Sequence, residues 1–375
     1  MQEKVKIKKT IKCKIHNLTN IKKQTLIAEY NEYQNICQEV SETINNDYLP
    51  ERPFKIFKNK KRHKSFVNGA IRTIKNKKQF QNLNEQPLYL VNDSFKIIKN
   101  QTKISKYWLK LPTKQKYGGI WLPIIIPYKY ENLLSEKICD SMIIKKKHDW
   151  FLLLTIKKDI PMKKSYSNIL AIDLGERVMA TVCGSFDNQR PTFYGRDVRE
   201  IRRHYAWLRK RLGEKKAFKT IKKIGNTENR KVNDVLHKIS RQIVDRAKET
   251  NSIIILGNLK GIRESAKGKG KRFSRIVHNM PHYKLSEYIK YKAGWEGIMT
   301  IAVNERGTSH TCSHCGNKGK RPYQGLFICD SCNYQVNADY NGAKNIAQRG
   351  LESISSLDGV RLTEPITLGA WQHGR

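Results

Sequence analysis

The spacing of apolar residues changes several times along the chain, and each change marks a new kind of element. The opening stretch KVKIKKTIKCKIH alternates loosely between apolar and cationic residues, as an edge strand with one basic face does. From Leu26 the period lengthens: Leu26, Tyr30, Tyr33, Cys37, Val40 and Ile44 fall every three to four residues and predict an amphipathic helix ending near Asn46. Pro50 and Pro53 interrupt the chain, and Phe66, Ala70, Ile71 and Ile74 predict a second helix. Between Pro87 and about Asp159, the short runs LYLV, SFKII, WLKLP, IWLPIII, SMIIKKK and DWFLLLTIKK are separated by Lys, Gly and Pro turns. Such spacing predicts an antiparallel sheet or barrel, so this half reads as a β-domain interrupted by a helical insert.

The second half has a different order. NILAIDLG (Asn168–Gly175), VMATVCG (Val178–Gly184) and PTFYG (Pro191–Gly195) predict three successive strands. A basic helical region follows, with Ile201, Tyr205, Leu208 and Leu212 on one face and Val232, Val235, Leu236, Ile239, Ile243 and Ala247 on another. The intervening Gly213–Lys231 is expected to be a mobile or nucleic-acid-facing connection, and GKGKR (Gly268–Arg272) a flexible basic loop. SIIILGNL (Ser252–Leu259), a helix over Lys284–Trp295, GIMTIAVNE (Gly297–Glu305) and a helix opening at ADYNGAKNIAQ complete the pattern. Three strands, a helix, a strand, a helix and a strand is the element order of a ribonuclease-H-type α/β domain.

Cysteine spacing adds a metal site. Cys312/Cys315 and Cys329/Cys332 form two Cys-x-x-Cys pairs with thirteen residues between them, room for a short hairpin such as Pro322–Ile328. Two such knuckles suit tetrahedral Zn²⁺; disulfides or unpaired thiols are the competing reading. Cys13, Cys37, Cys139 and Cys183 stand singly in apolar surroundings and are expected to be buried thiols, which points to a cytoplasmic protein. The start of the chain has no apolar core like that of a signal peptide, and no stretch reaches the ~18 apolar residues of a spanning helix, so no membrane partner is expected.

Charge then narrows the partner. Lys and Arg number 73 against 33 acids, a formal charge of +40, which a polyanionic partner would neutralise. Part of the excess fits an ordinary solvated surface, but the shortage of acids does not. Lys58, Lys60, Lys61, Arg62 and Lys64, with Arg209, Lys210 and Arg211 in the basic helix, are candidate phosphate contacts. The aromatics Tyr107, Trp108, Tyr117, Trp121, Tyr128 and Tyr130 fit either nucleic-acid contact or the core.

Two of the scarce acids have positions suited to chemistry. In-line phosphodiester hydrolysis needs an activated water and neutralisation of the leaving oxygen, which a pair of divalent ions about 3.5–4 Å apart supplies. Mg²⁺ prefers carboxylate oxygens, so acids must converge despite their repulsion. Asp173 ends a buried strand before Gly175, and Asp339 stands at a helix start. The plain alternatives are a turn cap for Asp173 and a helix N-cap for Asp339.

AIDLG, GNLKGIRE, TSHTCSHCG…CDSC and ADYNGAKNIA resemble the three split RuvC motifs and the zinc ribbon of the TnpB family of transposon-encoded, RNA-guided nucleases, to which compact type V CRISPR effectors are similar. The resemblance is specific over residues 168–350 and extends to the N-terminal half only in element order. It implies a multidomain α+β and α/β fold. A wedge-type antiparallel β-barrel (1–15 and 85–166) is interrupted by a helical recognition domain (16–84). A ribonuclease-H-like RuvC domain (167–305 and 337–375) carries an inserted zinc ribbon (306–336). It also implies a guide RNA transcribed near the gene, target double-stranded DNA with a short flanking motif, and a prokaryotic protein found on the nucleoid when bound to DNA.

One departure bears on activity. The family's second motif places Glu where this chain has Gly257, and glycine cannot hold a metal. Glu264, in the tail of the same motif, lies too far beyond the strand end. In some relatives this Gly is accompanied by an acid just before Gly-Thr-Ser, which makes VNERGTS resemble a relocated site. On that reading Asp173, Glu305 and Asp339 are the catalytic and Mg²⁺-binding residues of an RNA-guided DNA endonuclease. The alternatives are a nuclease-inactive, RNA-guided DNA binder that represses transcription and a non-nuclease zinc-ribbon protein; Glu305 would then be an ordinary surface partner of Arg306 or a nearby Lys. Two smaller departures, Asn337 where relatives carry an acid and Gly342 where Ala is common, are expected to have little consequence beyond helix propensity.

Overall fold

In a computed structural model, the described residues are 4–45, 64–75, 86–113, 118–185, 190–258, 270, 281–323, 325–357 and 359–363. The chain divides into two compact units, residues 6–159 and residues 160–375 together with the first five.

In the first unit, β1 (Lys4–Ile15) is followed by helices α1 (Asn20–Asn45) and α2 (Lys64–Lys75). Then come β2 (Leu88–Leu90), β3 (Lys96–Lys99), β4 (Tyr107–Leu111), β5 (Ile120–Ile125), β6 (Lys137–Ile138), β7 (Ser141–Lys146) and β8 (Asp149–Pro161). The strands form one sheet in the order β2-β7-β8-β1-β5-β4-β3, with β6 on β8. β2–β7, β7–β8, β1–β5, β5–β4 and β4–β3 pair antiparallel. The order has two ends, so among the described residues the antiparallel sheet or barrel expected from the strand spacing is a half-barrel. Leu26, Tyr33, Cys37 and Val40 of α1 are buried, and so are Phe66, Ala70 and Ile74 of α2. The Tyr33 and Phe66 rings meet edge to face at 6.0 Å. Cys13, Cys37 and Cys183 are buried as expected, whereas Cys139 is only half-buried.

The second unit opens with β9 (Ser165–Tyr166), β10 (Asn168–Asp173), β11 (Ala180–Gly184) and β12 (Thr192–Tyr194). Helices α3 (Arg196–Glu214) and α4 (Phe218–Glu249) precede β13 (Ser252–Asn258), α5 (His282–Trp295) and β14 (Thr300–Asn304). β15 (Gly319–Lys320), β16 (Leu326–Cys329) and β17 (Gln335–Asn337) lead into α6 (Ala338–Ser355), and β18 (Arg361–Leu362) pairs with β9. The central sheet has the order β12-β11-β10-β13-β14, with β10–β13 and β13–β14 parallel and the pairs β10–β11 and β11–β12 antiparallel. Ser252–Leu256 are all buried, and because consecutive strand residues point to opposite faces, both faces of β13 are covered. α6 comes close to this strand at Gly350, where a Cβ would overlap the Ile255 side chain.

Gly213–Lys231 departs from its expected role as a connection. Only Lys215–Ala217 form the turn, and α4 runs unbroken for 32 residues from Phe218. Ile221 and Ile224 extend the stripe of α4 toward its start with half-buried residues, and Glu228 pairs with Arg209 of α3. A Lys-rich, Gly-containing segment is helical here because a neighbouring helix gives it a face to pack on.

Candidate functional site

Asp173 is the last residue of β10, and the register places Gly257 of β13 opposite Val303 of β14, two residues before Glu305. A Cβ on Gly257 would coincide with the Glu305 carboxylate. The glycine of one strand therefore leaves the space that the acid following the next strand fills. Glu305 Oε1 is buried with no hydrogen-bond partner among the described residues, so this side chain is not the surface ion-pair partner its sequence neighbours suggested.

The third acid sits on α6. Asn337 is the N-cap, its Oδ1 accepting from the backbone N–H groups of Asp339 and Tyr340 at 3.0 and 3.1 Å. The carboxylate of Asp339 is thereby free of the capping role its position allowed. Gly342, one turn on, has Asp173 Oδ2 2.7 Å from where its Cβ would be. The expectation that Gly342 affects only helix propensity is therefore corrected: an alanine there would press on the Asp173 carboxylate.

Electrostatics record the crowding. Burial, and then the charge of Asp339, pushes Asp173 up to about 7. Burial, and then the charge of Asp173, pushes Glu305 up to about 8. Burial also raises Asp339, against the opposing pull of Arg321 and Arg177. Asp173 thus lies electrostatically between the other two acids. The three do not form a set with ligand atoms within 4.8 Å of one another; among the described residues only the four cysteines do.

Several residues that the sequence did not mark hold this arrangement. His282 Nε2, at the start of α5, lies 3.0 Å from the Gly175 carbonyl in the turn after Asp173. Asn345 of α6 donates to the Thr308 and Thr311 carbonyls at 2.8 and 2.7 Å, and Thr308 donates through its N–H and hydroxyl to the Glu305 carbonyl at 3.1 and 2.9 Å. Asn341 bonds Ser313 N–H and the Thr311 carbonyl. Buried asparagines at i and i+4 of a helix were a readable sign of a polar anchor, since an unsatisfied amide there is costly.

The cysteine cluster is more tightly built. The Sγ atoms of Cys312 and Cys332 are 3.8 Å apart, and those of Cys315 and Cys329 3.5 Å. A tetrahedral ion with bonds of about 2.3 Å requires sulfur–sulfur edges of about 3.8 Å, so these cysteines could hold one soft divalent ion. Backbone N–H groups of Cys332 and Ser331 point at the Cys329 thiol and lower its pKa to about 6. The hairpin between the pairs is β15–β16, starting three residues before the expected Pro322.

Of the candidate phosphate contacts, Lys58, Lys60, Lys61 and Arg62 and the Lys64 side chain lie outside the described residues, as does Glu264. Arg209 is paired with Glu228, while Lys210 and Arg211 are exposed on α3 and Arg211 covers the Trp207 ring at 5.6 Å. A groove of about 420 Å³ reaches Asp339, lined by Arg177, Phe193, Arg196, Arg203 and Asn337 among others. Its arginines outnumber Glu200 and Asp339, which suits an anionic strand passing Asp339. No helix among the described residues is long and apolar enough to cross a membrane.

Comparison with known proteins follows the same geography. Residues 282–346, which run from α5 through the cysteine cluster into α6, match the Cas12f1-like TNB domain family. A TnpB-like protein of Methanocaldococcus jannaschii is 31% identical over 211 residues, 52% of this chain and 76% of that one. A protein of Sulfoacidibacillus thermotolerans named CRISPR-associated endodeoxyribonuclease Cas12f1 is 29% identical over 61% of this chain, which spans just over half, 56%, of that relative's length. The fold is similar to that of a Cas12f1 chain solved with single-guide RNA and target DNA (TM-score 0.60, 16% identity, covering 87% of this chain and 82% of that one).

Proposed function

This chain belongs to the TnpB-like family, and from that premise we propose that it is an RNA-guided DNA endonuclease whose RuvC-like site uses Asp173, Glu305 and Asp339. In this reading residues 1–15 and 85–166 form the wedge domain around a recognition insert (16–84). Residues 167–305 and 337–375 form the nuclease, and 306–336 its zinc ribbon. Relatives carry names that describe endodeoxyribonucleases, and the fold match was solved with guide RNA and target DNA; guide RNA and a target duplex with a short flanking motif are accordingly the partners proposed here.

The observation that carries the proposal is the interlock of Gly257 and Glu305. A dead site that had simply lost its second acid would leave a void over β13, whereas here a carboxylate from the next strand fills that space. Three hard oxygen donors, one with an orphaned buried oxygen, fit a divalent cation such as Mg²⁺. When bound, such an ion would polarise the phosphodiester and favour hydroxide at neutral pH. The chain's own part is to hold three acids at a strand end, beside that strand's neighbour and at a helix start. Arg177 and Arg321 limit the mutual repulsion, and the arginine-lined groove binds the strand to be cut. The four thiolates hold Zn²⁺ and fix the fold between Glu305 and Asp339.

A specific observation favours the competing reading, a nuclease-inactive binder: the acids do not approach within 4.8 Å as a set. Co-expression with flanking DNA, sequencing of the bound RNA and challenge with matched duplexes carrying a library of flanking motifs decides between them. The proposal expects a discrete RNA and cleavage in Mg²⁺. Target binding with no cleavage would establish the repressor, and absence of a discrete RNA would remove the guided reading.

A further inference from the structure

Glu305 lies just beyond its strand, where a carboxylate displaced from the sheet needs something other than strand pairing to fix its backbone. Asn304 is the last paired residue of β14, and Arg306–His310 form turns. The residue that closes this gap is on α6. Arg349 Nη1 donates to the carbonyl of Asn304, and its Nη2 donates to the carbonyl of Arg306 at 2.9 Å. The two carbonyls flank Glu305 on either side, and the planar guanidinium fork spans them in a way a single ammonium cannot.

α6 therefore makes four separate contributions to one site. Near its start it carries Asp339, and Gly342 makes room for Asp173. Asn345 anchors Thr308, which in turn donates to the Glu305 carbonyl, and Arg349 grips the peptides on both sides of Glu305. We infer that Arg349 is a positioning residue for the relocated acid. It locks the Glu305 backbone to the helix that bears Asp339, so that the carboxylate enters the space above Gly257. The inference rests on the proposed site and deepens it. It also gives a reason why an acid outside the strand can serve: a helix–turn clamp replaces the strand pairing that would hold an acid at position 257.

The test uses the full chain, loaded with Zn²⁺ and free of nucleic acid, titrated calorimetrically with Mn²⁺ in four forms: unchanged, Arg349→Ala, Glu305→Gln and the double variant. Second-sphere partners of metal ligands typically contribute about 10–100-fold in metal affinity, so Arg349→Ala is expected to weaken Mn²⁺ binding by about that factor. In the Glu305→Gln background the same change is expected to cost nothing further, because the clamp then has no carboxylate to place. Arg349→Lys, which keeps the charge but loses the fork, is expected to behave like Arg349→Ala, and thermal melting reports whether each variant is folded. An equal loss from Arg349→Ala with and without Glu305 overturns the inference and makes Arg349 a general stabiliser of α6. So does unchanged Mn²⁺ affinity in folded Arg349→Ala or Arg349→Lys. Mn²⁺ affinity and target cleavage both unaffected by Glu305→Gln would overturn the underlying site instead, which keeps the two failures apart.

Discussion

Within the second unit, the cysteine cluster and the carboxylate cluster are built differently. The thiols stand at tetrahedral spacing in two tight turns; backbone N–H groups aim at the sulfur of Cys329 and favour its thiolate, while burial pushes the Cys312 and Cys332 thiols up. The carboxylates come from three separate elements, and burial with mutual repulsion drives Asp173 and Glu305 toward their protonated forms. The difference is one of placement: two short turns bring the four sulfurs together, while the acids need three separate elements to converge. Burial favours the protonated acids, and a cation bound at the proposed site would reverse that by compensating their charge.

Variants that strike one cluster and spare the other sharpen this contrast. The largest effect is expected from Asp173→Asn, because Asp173 lies electrostatically between the other two acids. Loss of several kcal/mol of charge stabilisation should lower target cleavage by about 10³-fold, while melting at neutral pH holds or rises because a buried, repelled charge is gone. Cys329→Ser should do the reverse. It should destabilise the fold by several kcal/mol, make melting insensitive to added Zn²⁺ and reduce activity only as folded protein is lost. Equal effects of both variants on melting would break the comparison.

Gly342→Ala tests a finer point. Alanine favours a helix interior by about 1 kcal/mol over glycine, yet its Cβ would meet Asp173 Oδ2. Divalent-ion affinity should fall about tenfold while thermal stability holds or rises. A gain in stability with unchanged affinity would mean that Asp173 moves aside freely.

A separate effect concerns pH. Asp173 and Glu305 bind protons more tightly in the folded chain than in the unfolded one, with pKa values of about 7 and 8 against ordinary values of 3.8 and 4.5. Their contribution to stability is intact below the ordinary range and is lost as pH rises through the folded values. Denaturant unfolding without Mg²⁺ should therefore show stability falling between pH 5 and pH 8 (roughly, from these shifts), and the combined Asp173→Asn/Glu305→Gln variant should flatten that slope.

How much of this was legible in the chain differs by element. β10 and β13 were readable because strands buried on both faces are continuous apolar runs, and the cysteines because their spacing is itself the ligand geometry. The start of α4 was misread because its helical state depends on Glu228 meeting Arg209 of another helix, information no local window holds. The meaning of Gly257 and Gly342 was only half visible: a glycine announces that space is needed, and only the folded chain names the occupant, Glu305 in one case and Asp173 in the other. Arg349 carried no sequence signal at all, since both its partners are main-chain carbonyls.

Glu305 is proposed to do from beyond the neighbouring strand's end what an acid at position 257 would do. The most direct measurement compares matched-target cleavage by Glu305→Ala with cleavage by the exchanged chain, Gly257→Glu together with Glu305→Ala. Glu305→Ala alone should be inactive and the exchange should restore cleavage, because the side chain introduced at position 257 starts in the volume Glu305 vacated and carries its carboxylate out from the same strand. Cleavage that survives Glu305→Ala alone would contradict this role.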